Sequence, residues 1–126
     1  MAGQDLPNFV SDMSSSPMRI NHVHLYVQEL AEAIRWFEHI WQINANFMNE
    51  RMAVFSFDQF SLILDTGLAD TKATIGFQSD NCDRDYQKVV ERGAITLEAP
   101  ADRPWGVRVA YLKGPGALTI EIEQSR

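Results

Sequence analysis

The sequence predicts an α+β fold made of two βαβββ modules, which together form a curled, mixed but mostly antiparallel sheet with the helices outside. Three observations predict it. A strand-like run, Asn21-His22-Val23-His24-Leu25-Tyr26-Val27, precedes an amphipathic helical stripe. Three short strand-like runs follow that stripe. After a linker over 66–72 the same order of elements returns, so that about 19–65 and 72–123 read as two copies that share order and spacing rather than residue identity.

Each element has its own signal. In a strand successive side chains point to opposite faces, which puts Val23, Leu25 and Val27 towards a core and His22, His24 and Tyr26 together on the other side. From about 29 to 43, Leu30, Ile34, Phe37 and Trp41 recur at helical spacing, with Ala33 and Ile40 widening the stripe. The opposite side carries Glu32, Arg35, His39 and Gln42, so His39 is assigned to solvent. Strands follow over 45–49, 52–57 and 60–65, with Asn49-Glu50 and Asp58-Gln59 as turns. Gly67 and Asp70 mark the linker. In the second copy, 73–78 is a strand, and Cys82, Tyr86, Val89 and Val90 mark a helix opened by Asp80, Asn81 and Asp83 and closed by Gly93. Three more strands are expected over 94–98, 107–112 and 117–123, with the proline-bearing 99–104 as a loop and Gly114-Pro115-Gly116 as a tight turn. The phase of Leu62 and Leu64 matches that of Ile120 and Ile122, all facing helices, which turns Ile63 and Glu121 into the concave trough.

Composition bounds the function. At 126 residues the chain holds one domain with a real core, expected over 18–126, preceded by a leader over 1–17 that carries Gly3, Pro7, Pro17 and the run Ser14-Ser15-Ser16. Apolar residues at 45% and charged residues at 22% are those of an ordinary globular protein. A formal net charge of -6 disfavours nucleic acid and anionic membrane surfaces as partners. No apolar run approaches a spanning helix and the start lacks a secretory pattern, so a cytoplasmic setting is expected. Cys82 is the single cysteine, which excludes an internal disulfide, and it reads as a small buried hydrophobe.

The run Ile20 to Val27 with its amphipathic helix, the stretch Arg103-Pro104-Trp105-Gly106-Val107-Arg108-Val109-Ala110-Tyr111, and the closing Ile120-Glu121-Ile122 together resemble the vicinal oxygen chelate superfamily. That group contains glyoxalase I, fosfomycin-resistance transferases, extradiol dioxygenases and bleomycin-resistance proteins. The resemblance covers about 19–123. It implies four ligand positions in metal-using members, carried here by His22, Ile63, Thr74 and Glu121. Ile63 cannot ligate, and Thr74 stands where a second His is expected, so the metal set is reduced to His22 and Glu121. Gly114-Pro115-Gly116-Ala117 also departs from the Asp-Pro-Asp-Gly turn common in the group.

Two functions follow as expectations. The first is a binder of a small organic molecule in the trough, similar to bleomycin-resistance proteins and without a complete metal site or other cofactor. The second is a divalent-metal-dependent lyase, isomerase or dioxygenase acting on vicinal oxygens, with His24 or Tyr26 moving protons. A fold kept for a structural role is the bland alternative. The expected ligand-binding residues are His22, His24, Tyr26, Phe55, Trp105, Arg108 and Glu121. Small half-sheets with open edges, and Phe9 and Val10 in the leader, point to a homodimer.

Overall fold

A computed structural model describes residues 18–126. The leader reading, Phe9 and Val10 included, lies outside the described residues. The element order is β1 (His22–Val27), α1 (Leu30–Trp36), β2 (Phe47–Met48), β3 (Met52–Ser56), β4 (Ser61–Thr66), β5 (Ala73–Gln78), α2 (Cys82–Glu91), β6 (Ile95–Arg103), β7 (Val107–Lys113) and β8 (Leu118–Ser125). The strands form two four-stranded sheets, ordered β1-β4-β3-β2 and β5-β8-β7-β6. In each sheet the first strand runs parallel to the last strand of its module and the remaining pairs are antiparallel. Two βαβββ modules, α+β in class, are thus the architecture.

The core lies where the alternation places it. Leu25, Val27, Ala53, Phe55, Leu62 and Leu64 of the first sheet pack with Leu30, Ala33, Ile34, Phe37 and Ile40 of the first helical segment. Ala110, Leu112, Leu118, Ile120 and Ile122 of the second sheet join the same cluster through Cys82 and Val89 of α2. Val23, expected to face this core, lies near the start of β1 and is more than a third exposed. The modules also meet directly: Trp41 lies 4.7 Å from Phe77 and Phe57 lies 5.8 Å from it, ring to ring. Among the described residues no helix is long and apolar enough to cross a membrane.

Three elements differ from expectation. The first helix is α-helical only to Trp36, and Phe37–Trp41 form a π-helical turn that ends at Gln42 in the left-handed region at φ 60. Strand β2 shortens to two residues. Strand β6 continues to Arg103 through Pro100, where a loop was expected. As the outer strand of its sheet, β6 can carry a residue without an N–H, and its register shifts between Thr96 and Glu98 and between Glu98 and Ala101 absorb the misfit.

Helix α2 opens on a double cap. Asn81 accepts from the Arg84 N–H at 3.0 Å, while the Ser79 hydroxyl accepts from the Asn81 N–H at 2.9 Å and donates to Asp85 at 2.5 Å. Burial alone would raise the Asp85 pKa, but the hydrogen bonds from Ser79 and Arg84 outweigh it and hold the carboxyl below its ordinary range. A depressed carboxyl contributes stability that is present above the unfolded pKa and lost as pH falls through the folded one. Ser79→Ala should therefore cost about 1 kcal/mol at neutral pH, and its deficit against the parent should shrink below about pH 4. Urea unfolding at the two pH values checks this, and an equal deficit at both would contradict it.

Candidate functional site

Strand β1 presents the first group of expected site residues. Leu25 and Val27 are buried, whereas His22, His24 and Tyr26 on the alternate face are exposed. Parallel pairing with β4 sets Ser61, Ile63 and Asp65 opposite His22, His24 and Tyr26. The His24 Nδ1 lies 2.7 Å from Asp65 Oδ2. Because an ionised carboxylate only accepts, the proton sits on Nδ1, and in the neutral ring the Nε2 lone pair is left as acceptor, base or ligand. The His22 Nδ1 is 2.6 Å from Asn21 Oδ1, and the two imidazoles meet edge to face at 5.3 Å. The Tyr26 ring lies against the backbone of Gly67, where an added Cβ would sit 3.1 Å from its Cδ1. A cavity of about 450 Å³ opens on this face, with His22, Val54 and Ile63 as its floor and Phe57 and Phe60 of the β3–β4 turn at its rim. Ser56 and Ser61 lie within it, their hydroxyls 3.2 Å apart.

The second sheet carries Glu121. Glu121 faces away from Ile120 and Ile122, opposite Gly76 on β5 and Tyr111 on β7. Its carboxylate lies over Gly76, where an added Cβ would stand 2.9 Å from Oε1. Burial and then the charge of Glu121 push the Tyr111 phenol above its usual range. Arg103 lies over the Tyr111 ring at 5.7 Å and donates to Glu98 at 2.6 Å. Its Nε is a buried N–H with no acceptor among the described residues. Val109 is fully buried although its side chain is on the concave side of β7, opposite Ala101 and Glu123.

Several expected site residues stand elsewhere. Phe55 has the parity of Ala53, and its ring is 1% exposed and packed 5.1 Å from Phe37, so it belongs to the core and not to a trough wall. Arg108 shares the helix-facing parity of Ala110 and Leu112, and Asp83 of α2 and Asp102 hold its guanidinium there, away from the trough. Trp105 sits in the β6–β7 turn and not in a strand, and it is 67% exposed. His22, His24 and Tyr26 lie on one sheet and Glu121 on the other, and among the described residues no hydrogen bond, ion pair or ring contact joins the two sets. Asp65, Tyr111, Arg103 and Glu98 were not anticipated; the only signal for Asp65 is that it shares the phase of Ile63.

No protein-family model matches the sequence, and no curated protein does. Solved structures do match in three dimensions. A glyoxalase/bleomycin resistance protein/dioxygenase from Nocardioides superposes with a TM-score of 0.75 at 18% identity, covering 98% of this chain and 93% of that one. The chain has the glyoxalase/bleomycin resistance/dioxygenase superfamily fold. A lactoylglutathione lyase from Agrobacterium tumefaciens superposes at a TM-score of 0.73 and 13% identity, covering 86% and 95% of the two chains. A superfamily member from Sphaerobacter thermophilus gives 0.70 at 17%, covering 86% and 98%.

Metal-using members of the superfamily raise the question whether these residues fit an ion. Among the described residues no group of three or more His, Cys, Asp and Glu side chains gathers as a metal set. His22 and His24 each give an oxygen partner to Nδ1, which leaves one nitrogen apiece, and Glu121 is on the other sheet. Among the described residues of one chain these donors do not fit a metal.

Proposed function

We propose that this protein binds a small organic molecule on its concave surface, as a homodimer and without a complete metal site. The observation that carries the reading is the cavity of about 450 Å³ on the first sheet, where aromatic rims stand beside a histidine and two hydroxyls. Cavities of this size that set aromatic groups beside polar ones suit small ligands. The unpaired Arg103 Nε on the second sheet supports it from the other side, since a buried donor without a partner is costly until an acceptor arrives. The dimer reading is supported by β1 and β5, each the outer strand of its sheet with a row of backbone groups open to pairing. Bringing the β1 face of one copy against the β8 face of another would enclose the ligand between His22, His24, Tyr26, Trp105 and Glu121. A second reading, chemistry on the bound molecule, is supported by the Asp65–His24 pair, which leaves Nε2 placed to take a proton.

Light scattering should give a dimer at micromolar concentration. A fragment screen followed by amide and methyl NMR should find ligands that shift Ile63, Val54 and Ser61. Trp105→Ala and Glu121→Gln should weaken the best of these about tenfold, the scale of one lost polar or aromatic contact, while leaving the fold intact. A monomer would remove the dimer. If both variants bind like the parent and merely melt earlier, the concave surface is structural and the binding reading is wrong.

A further inference from the structure

The π-helical turn after α1 closes with features that the concave surface does not use. Its last residue, Gln42, is the single non-glycine residue at positive φ among the described residues. Gln42 is the C-cap of this turn, and helices commonly end on a residue in that region. Trp41 and Gln42 line a cavity of about 410 Å³ between the modules. Trp41 and Phe77, 4.7 Å apart ring to ring, form its apolar wall together with Val89 and Ile122. From α2, Lys88 and Arg92 enter at i and i+4. The charged groups lining the cavity are these two cations and Asp85. Asp85 is engaged by Ser79 and Arg84 and also feels the charge of Lys88. Arg92 spends one N–H on the Ile40 carbonyl, an acceptor left open at the end of the helical turn, and has no carboxylate partner. Lys88 is exposed and forms no ion pair among the described residues. In a chain of net charge -6, this is a cationic pocket with an aromatic wall.

We infer that this inter-module cavity is a second binding site, distinct from the concave surface, for a small planar organic anion of the aromatic carboxylate class. The ring lies against Trp41, Phe77 and Ile122, and the carboxylate meets Lys88 and the free N–H groups of Arg92, while Gln42 and Gln78 offer amides at the edge. Charge-assisted hydrogen bonds from two cations favour a carboxylate over a neutral amide of the same shape.

Benzoate is the probe, and benzamide its neutral control, each titrated into the full chain and followed by NMR at the Trp41 indole and the Gln42 and Gln78 side-chain amides. Benzoate should saturate these shifts and benzamide should bind at least about tenfold more weakly. Lys88→Gln, an exposed change that leaves the Arg92 contact to Ile40 in place, should weaken benzoate by a similar factor. His22→Ala should leave it unchanged, which separates this site from the concave one. Absence of saturable shifts with millimolar benzoate, equal binding of benzamide, indifference to Lys88→Gln, or loss with His22→Ala would each overturn the assignment.

Discussion

Replacing Phe37 with alanine should destabilise the protein by about 3–5 kcal/mol, the cost of deleting a buried aromatic ring and leaving a cavity behind. Phe37 is fully buried, and its ring lies 5.1 Å from those of both Trp36 and Phe55. It stands where α1 passes into the π-helical turn, and its carbonyl accepts from the Gln42 and Ile43 N–H groups. The side chain therefore holds the first helix against β3 at the point where the backbone geometry changes. Since a whole domain is stable by only about 5–15 kcal/mol, a loss of this size takes a large share of the total. Urea unfolding should show a lower midpoint at an unchanged slope. A cost below about 1 kcal/mol would mean that Trp36 and Phe55 collapse into the space, and that the core is softer than its packing implies. The effect also reaches the candidate site, because Phe55 is the back of the strand whose front presents Val54 and Ser56 to the cavity.

The fold was legible because its signals are periodic. Alternation in Leu62 to Leu64 and in Ile120 to Ile122, together with a stripe from Leu30 to Phe37, suffices to set two sheets under two helices. What was not legible depends on contacts between strands distant in sequence. The Asp65 partner of His24 follows from the parallel register of β1 on β4, which no local pattern specifies. Phe55 was misplaced because an aromatic residue in a strand of mixed hydrophobic residues has no phase until Ala53 and Leu62 are known to be buried with it. For Arg108 the sequence left the trough and an acidic partner as alternatives, and Asp83 at the start of α2 supplies the partner on the helix side. Trp105 falls between the expected loop and the expected strand, and the structure puts it in the turn two residues before Val107. The π-helical turn has no sequence signature at all, since its apolar stripe is the one an α-helix would show.

Thr74→His should create divalent metal binding, and the parent should retain no stoichiometric ion after dialysis. On β5, Thr74 pairs with Thr119 and Gly76 with Glu121, and since paired residues of neighbouring strands share a face, an imidazole at 74 would stand diagonally beside the Glu121 carboxylate. Thr74 is exposed, so the larger ring can be accommodated without disturbing the core. One His and one Glu on a sheet are two donors, short of the three protein ligands of a usual catalytic zinc site. The third is His22, which β1 presents on its own concave face, and in the dimer proposed above it comes from the other copy. Zinc affinity of Thr74→His should exceed that of the parent by at least about tenfold, the least that one added ligand is expected to give. Elemental analysis and competition with a chromogenic chelator measure it. Adding His22→Ala to Thr74→His should abolish the gain. If the gain survives that second change, the two faces do not meet in the way proposed. If Thr74→His binds zinc no better than the parent, these positions are no longer a metal frame lacking one ligand, and the metal-dependent reading of this chain falls with it.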